Sequence, residues 1–224
     1  MKKGDKRKRK KALQKRARRK QQRKKSAVSR SRSNRMVRPV PNATAFPIHA
    51  CWVQRGWRES GLALITIVRR QPRDRYAIGG FLADFYCLGV KEAFSRGGYL
   101  ADDLDDLIDG TYSVEPQEPM DVALAHELIY GSIEYAARLG FKPHRDFAIA
   151  KCMLDPPDAH PRTGEVPFGF DGQPYYIQGP NDNWTAIVEQ LERTVGEGNF
   201  GFLLQSGPFP MMGDDDDSWL PRTR

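Results

Sequence analysis

Four carboxylates are the side chains in this sequence best placed to do chemistry. Asp84 lies in an apolar run among Phe81, Leu82, Ala83, Phe85 and Tyr86. An unpaired charge is costly there, so Asp84 calls for a cation, a metal or backbone donors. Glu127 and Glu134 share one face of an expected helix, two turns and about 10 Å apart, too far to hold one ion unaided. Asp146 follows His144 at the start of an expected strand. If Asp84, a glutamate and Asp146 converged, they would form an acidic cluster of the kind that cuts phosphodiesters with two Mg²⁺ ions. The competing reading has Asp84 bonded to Arg69, Arg70 or Lys91 and the glutamates as surface acids, since ion-pair networks also gather charged groups.

Other chemistries find less support. Gly79-Gly80 and Gly97-Gly98 lack the spacing of a dinucleotide fingerprint and the Lys-Ser/Thr of a P-loop. No GxSxG elbow is present. His49, Cys51 and Cys152 are the zinc ligands one would combine, but no pair has tight ligand spacing, so no metal site is expected. His126 borders an apolar stripe and is expected to be a hydrogen-bonded core residue, while His160, between Ala159 and Pro161, has no assignable partner. Three scattered cysteines without a CxxC pair suit reduced thiols and a cytoplasmic setting.

The elements that would position these groups follow from periodicity. Strands are expected over Pro47–Val53 and Leu62–Arg70, then over Tyr76–Val90 as the partner of a hairpin. Gly79-Gly80 inside that run argues for a bulge or a close approach of another backbone. Lys91–Phe94 could turn into a short helix. Ala101–Asp109 reads as a short helix whose outer face is acidic. Pro119–Leu139 is the clearest helix, with apolar residues at threes and fours from Val122 to Leu139 and Gly131 at mid-length. A strand over Asp146–Leu154, a hairpin around Asp171-Gly172, a helix over Trp184–Val195 capped by Asn183, and a strand over Phe200–Gln205 complete the order. Strands come in runs without strict alternation with helices. The expected fold is therefore α+β: a mixed, mainly antiparallel sheet with two main helices on one face.

Charge divides the chain more sharply than periodicity does. The first 38 residues hold 20 of the 36 Lys and Arg but one of the 28 Asp and Glu, leaving 16 basic and 27 acidic residues for the rest. The net charge of +8 conceals this contrast. Such a segment cannot bury apolar surface and is expected to be disordered, or helical only on binding a polyanion. Residues 39–46 read as a proline-stiffened linker, 47–206 as one domain, and 207–224 as a loose acidic end.

Lys6, Arg7, Lys8, Arg9, Lys10, Lys11, Lys15, Arg16, Arg18, Arg19, Lys20, Arg23, Lys24, Lys25, Arg30 and Arg32 are the expected phosphate contacts. They would give affinity that is large, weakly selective and steep in salt. No aromatic residue precedes Phe46, so the segment has no base-stacking platform. It also lacks the apolar core of a secretory signal and the apolar face of a membrane-surface helix. RNA, more than DNA, is the expected partner, with no membrane and no cofactor. The role that follows is an RNA-associated accessory protein, with the ribosome among its expected locations. A nuclear address is the further reading if the source is a eukaryote. The alternative is a Mg²⁺-dependent nuclease or hydrolase built on the four carboxylates. The basic segment could also dock on the chain's own aspartate clusters.

Overall fold

The computed structural model describes residues 40–204; the basic segment 1–38 and the acidic end 207–224 lie outside them. Four strands run as an antiparallel meander: β1 (Ile48–Gln54), β2 (Leu62–Gln71), β3 (Arg75–Asp84) and β4 (Gly89–Tyr99). A one-turn helix, α1 (Trp57–Ser60), joins the first two. The chain then passes through α2 (Ala101–Thr111) to β5 (Gln117–Pro119), which pairs with β1 at the far edge, giving the order β4-β3-β2-β1-β5. Next comes α3 (Val122–Arg138), followed by α4 (Phe147–Ala150) and a 3₁₀ turn at Lys151–Met153. Finally β6 (Tyr175–Ile177), α5 (Trp184–Val195) and β7 (Gly201–Leu203) form a small annex in which β6 and β7 pair in parallel. The fold is α+β. None of the described helices is long and apolar enough to cross a membrane.

Strand alternation assigns each sheet face its cover. Ala63, Ile65, Ile67, Phe81 and Ala83 point to one face, where they meet Ala125, Leu128 and Ile129 of α3 together with Met153. Val68 and Ile78 point to the other, beneath Leu104 and Ile108 of α2 and Tyr112, which follows it. The buried Thr66 is matched there by the Tyr112 hydroxyl, which donates to Thr66 Oγ1 at 2.7 Å. The chain crosses one face going out to β5 and the other coming back. The two expected main helices are thus joined by a third on the opposite face. α5 sits beyond the β3–β4 turn, where Leu191 packs with Cys87, Leu88, Leu139 and Tyr176.

Several local expectations need correction. The apolar run Tyr76–Val90 is not one strand. It is β3, a buried turn at Phe85–Leu88, and the start of β4, so Lys91–Phe94 is strand and not helix. Burial of the whole turn makes it resemble a strand in sequence. Asp146–Leu154 is helical: Phe147, Ala150 and Met153 recur at threes, Ala150 and Met153 are fully buried, and Ile149 faces outward. The long helix begins after Asp121, whose carboxylate accepts from the amides of Ala123 and Leu124 at 2.8 and 3.3 Å. Pro119 instead ends an edge strand, a position that tolerates a missing N–H.

Around Asp171-Gly172 only the Phe170–Gln173 bridge forms, with φ of 51° and 80° in the two-residue turn. β6 then leaves to pair with β7. The expected linker is part of the domain from Val40 onward, since Val40 and Ala43 are buried in the main core. Gly79-Gly80 marks close approach, because a Cβ on Gly79 would lie 2.8 Å from Met153. Gly131 serves the same end: the Phe168 ring occupies the space its Cβ would need.

Candidate metal centre

The four carboxylates singled out by the sequence are held apart by separate duties. Asp84 closes the β3–β4 turn, its Oδ1 accepting from the amides of Tyr86 and Cys87 at 3.1 and 2.9 Å. Burial pushes its carboxyl up to about 6, against the opposing effects of the Lys91 charge and these backbone donors. Lys91 itself bonds Asp182 at 2.7 Å. Glu127, also buried, accepts from the amide and hydroxyl of Thr163 and from the Gly164 amide. Burial works to raise its carboxyl, but these donors and nearby Arg162 outweigh that effect and hold it below the usual range. Glu134 is half exposed and pairs with Arg162. Asp146 is equally open and lies 3.9 Å from His144 and 3.6 Å from Arg145. No partner is common to all four. The five aspartates of α2 make no ion pair with a described cation, as a solvated face would have it.

A different set converges. Among the described residues, one group of three or more His, Cys, Asp and Glu side chains could hold a metal ion: His126, Asp155 and His160, with ligand atoms all within 4.8 Å of one another. His126 comes from the sheet-facing side of α3. Asp155 and His160 come from the proline-rich loop that follows the 3₁₀ turn. His160 Nε2 lies 3.0 Å from Asp155 Oδ2, and the His126 and His160 rings meet edge to face at 4.4 Å.

The surroundings fix this set from below. Arg69, on β2, is buried and spends its guanidinium on three acceptors: Met153 O at 2.9 Å, Phe46 O at 2.8 Å and Asp155 Oδ1 at 2.7 Å. The Tyr130 hydroxyl donates to the Asp155 carbonyl at 3.0 Å. Burial works to raise the Asp155 carboxyl, but His160 and Arg69 overcome it and hold the group charged. His126 is pushed down to about 4, first by burial and then by His160 and Arg69, with Asp155 opposing. At neutral pH its ring is therefore uncharged, with a free lone pair.

His126 is only 3% exposed, yet neither ring nitrogen has a hydrogen-bond partner, and these two are the only such side-chain atoms among the described residues. The expectation of a hydrogen-bonded core histidine is thus overturned. His160 gains the partner that the sequence did not assign. Arg69, Asp155 and Tyr130 were missed as companions of the two histidines. The one available signal was Asp155-Pro-Pro-Asp-Ala-His160, a stiff loop carrying a carboxylate and an imidazole five residues apart. The cysteines weighed and set aside as zinc ligands do not join them: Cys51 is a buried thiol pushed up to about 12 by burial and then by Asp121, while Cys152 contacts Ser95. No family model, no curated protein and no solved structure matched this chain in the three comparisons made.

Proposed function

We propose that the protein binds RNA through the phosphate backbone, its basic N-terminal segment supplying the grip and its folded domain riding with it. The observation that carries this reading is the charge division: 20 Lys and Arg against one acid within 38 residues, joined to a remainder in which acids outnumber bases. Cation density of that kind is matched by polyphosphate, and without aromatic residues it holds backbone and reads no base. The way the chain enters the domain supports the same reading. Val40 packs against Gly97 beside the β2–β3 hairpin tip, along a groove of about 530 Å³ lined by Arg73 and Arg75. Both arginines are exposed, so the cationic track continues onto the domain at the point of entry. The acidic face of α2 lies on the opposite side of the sheet from α3, and RNA would avoid it.

The test compares the full chain with a version lacking residues 1–38. On single-stranded RNA of mixed sequence, the full chain should show a log–log salt slope of about −4 or steeper, as expected for six or more phosphate contacts. The truncated chain should lose nearly all affinity while keeping its unfolding midpoint. A shallow slope, or unchanged binding after truncation, would overturn the reading.

A further inference from the structure

We infer that His126, His160 and Asp155 form a binding site for a divalent transition metal of the imidazole-preferring kind, with zinc as its first candidate. The starting point is His126. A neutral imidazole carries one donor and one acceptor, and burying both without partners is the exception among native side chains. Here the residue is 3% exposed, both nitrogens are bare, and one of them lies within 4.8 Å of a carboxylate oxygen and a second imidazole nitrogen. A metal ion gives this buried lone pair a partner that no protein group supplies.

The donor set decides the class of ion. Two imidazoles and one carboxylate suit Zn²⁺ and Fe²⁺, whereas Mg²⁺ and Ca²⁺ take oxygen ligands. Arg69 sharpens that choice. By bonding Asp155 Oδ1 it offsets the carboxylate charge and leaves Oδ2 facing His160. A hard cation would then meet one shared carboxylate oxygen, while a borderline metal still meets two imidazole nitrogens. Arg69 thus acts as a positioning residue for the carboxylate.

Ligand bonds of about 2.0–2.2 Å at tetrahedral angles require donors roughly 3.3–3.5 Å apart. His160 Nε2 and Asp155 Oδ2 are 3.0 Å apart, and the full set must draw in from 4.8 Å at most. Two of the three ligands sit on one loop, so closing the set falls to that loop and to rotation of the three side chains. The Asp155 and His160 side chains are 23% and 26% exposed, which leaves the outer side of the site open to water or a small anion as a fourth ligand. Asp155 also borders a groove of about 570 Å³ alongside Tyr130, Leu154 and Pro156. The site therefore has the three-ligand, one-open-position form of reactive metal centres, and not the closed four-ligand form of purely structural ones.

The test uses the full chain after chelator treatment and dialysis. One equivalent of Zn²⁺ should bind, and at a hundredfold excess over its dissociation constant the unfolding midpoint should rise by roughly 5–10 °C. Co²⁺ should bind with the visible absorption of a low-coordinate nitrogen and oxygen site, and Mg²⁺ should shift nothing. His126→Phe keeps the ring volume, and His160→Gln alters only a part-exposed loop residue. Each should abolish the midpoint shift and weaken binding by about 100-fold or more, while His144→Gln changes neither. An ordered water in place of the metal would show as a stabilised His126→Phe chain and no response to Zn²⁺ or Co²⁺, and that result would overturn the inference. So would a Zn²⁺ response that survives both variants, or a Mg²⁺ response of equal size.

Discussion

Asp84 and His126 are 4% and 3% exposed, and both are polar groups set into apolar packing. Their surroundings differ completely. Asp84 is met by two amides of the turn it closes, so its burial is explained by the fold. His126 meets no donor or acceptor, although a carboxylate and a second imidazole stand within reach. A buried polar group that builds the fold arrives with its partners; one that arrives without them points to something from outside. Sequence ranks the two the other way, because a carboxylate in an apolar run is more conspicuous than a histidine on a helix.

The largest effect should come from the residue that underlies the histidine site. Arg69→Met would strand the Met153 and Phe46 carbonyls and the Asp155 carboxylate. Breaking a buried pair from one side costs about 3–5 kcal/mol, measurable by urea unfolding at neutral pH. If the loss were below 1 kcal/mol, the guanidinium would not be holding the loop.

Next in size is a pH effect at Asp84. Burial raises its carboxyl to about 6 from an ordinary value near 3.8, so the protonated form suits the folded state. The stability it contributes is fully present below about pH 4 and is lost as pH rises through 6, by about 3 kcal/mol in all. Asp84→Asn keeps an acceptor for the turn and should lose this dependence. The difference between the two chains isolates it from Glu127, Asp155 and Asp182, whose lowered carboxyls act in the opposite direction as pH falls. Parallel unfolding curves from pH 4 to 7 would show that Asp84 keeps its charge throughout.

Glu127→Ala should cost about 1–2 kcal/mol, since the Thr163 and Gly164 amides lose a charged acceptor but lie near solvent. Faster hydrogen exchange at those two amides, with little change at Leu128 and Ile129, is the expected signature. His126→Phe should have the smallest effect on the metal-free chain, within about 1 kcal/mol of zero, because no hydrogen bond is lost. A loss of 3 kcal/mol or more would reveal a hidden partner and remove the contrast with Asp84.

Elements were legible where composition or periodicity agreed with length: the strand Leu62–Arg70 and the helix Trp184–Val195 lie within a residue of those observed. Legibility failed where tertiary burial overrode local signals. Phe85–Leu88 looks like strand because the main core buries Phe85 and Tyr86 while the annex buries Cys87 and Leu88. Asp146–Leu154 looks like strand because its outward positions, such as Ile149, are also apolar. The paired carboxylates were visible as residue types, but their distances depend on long-range packing. The histidine set was hidden for the same reason, since residues 126 and 155 meet only once the loop after the 3₁₀ turn folds back onto α3. Arg69, on a strand 86 residues before its partner, carried no local mark at all.

The late closure of the annex has a consequence for synthesis. The five-stranded sheet and α3 are complete by Arg138, yet Tyr176 and Leu191 of α5, which share a buried cluster with Cys87 and Leu88, are still to be made. A growing chain therefore presents an uncapped oily corner while some fifty further residues emerge, several seconds at ordinary elongation rates of about 5–20 residues per second. The cationic segment 1–38 is translated long before that corner receives its lid.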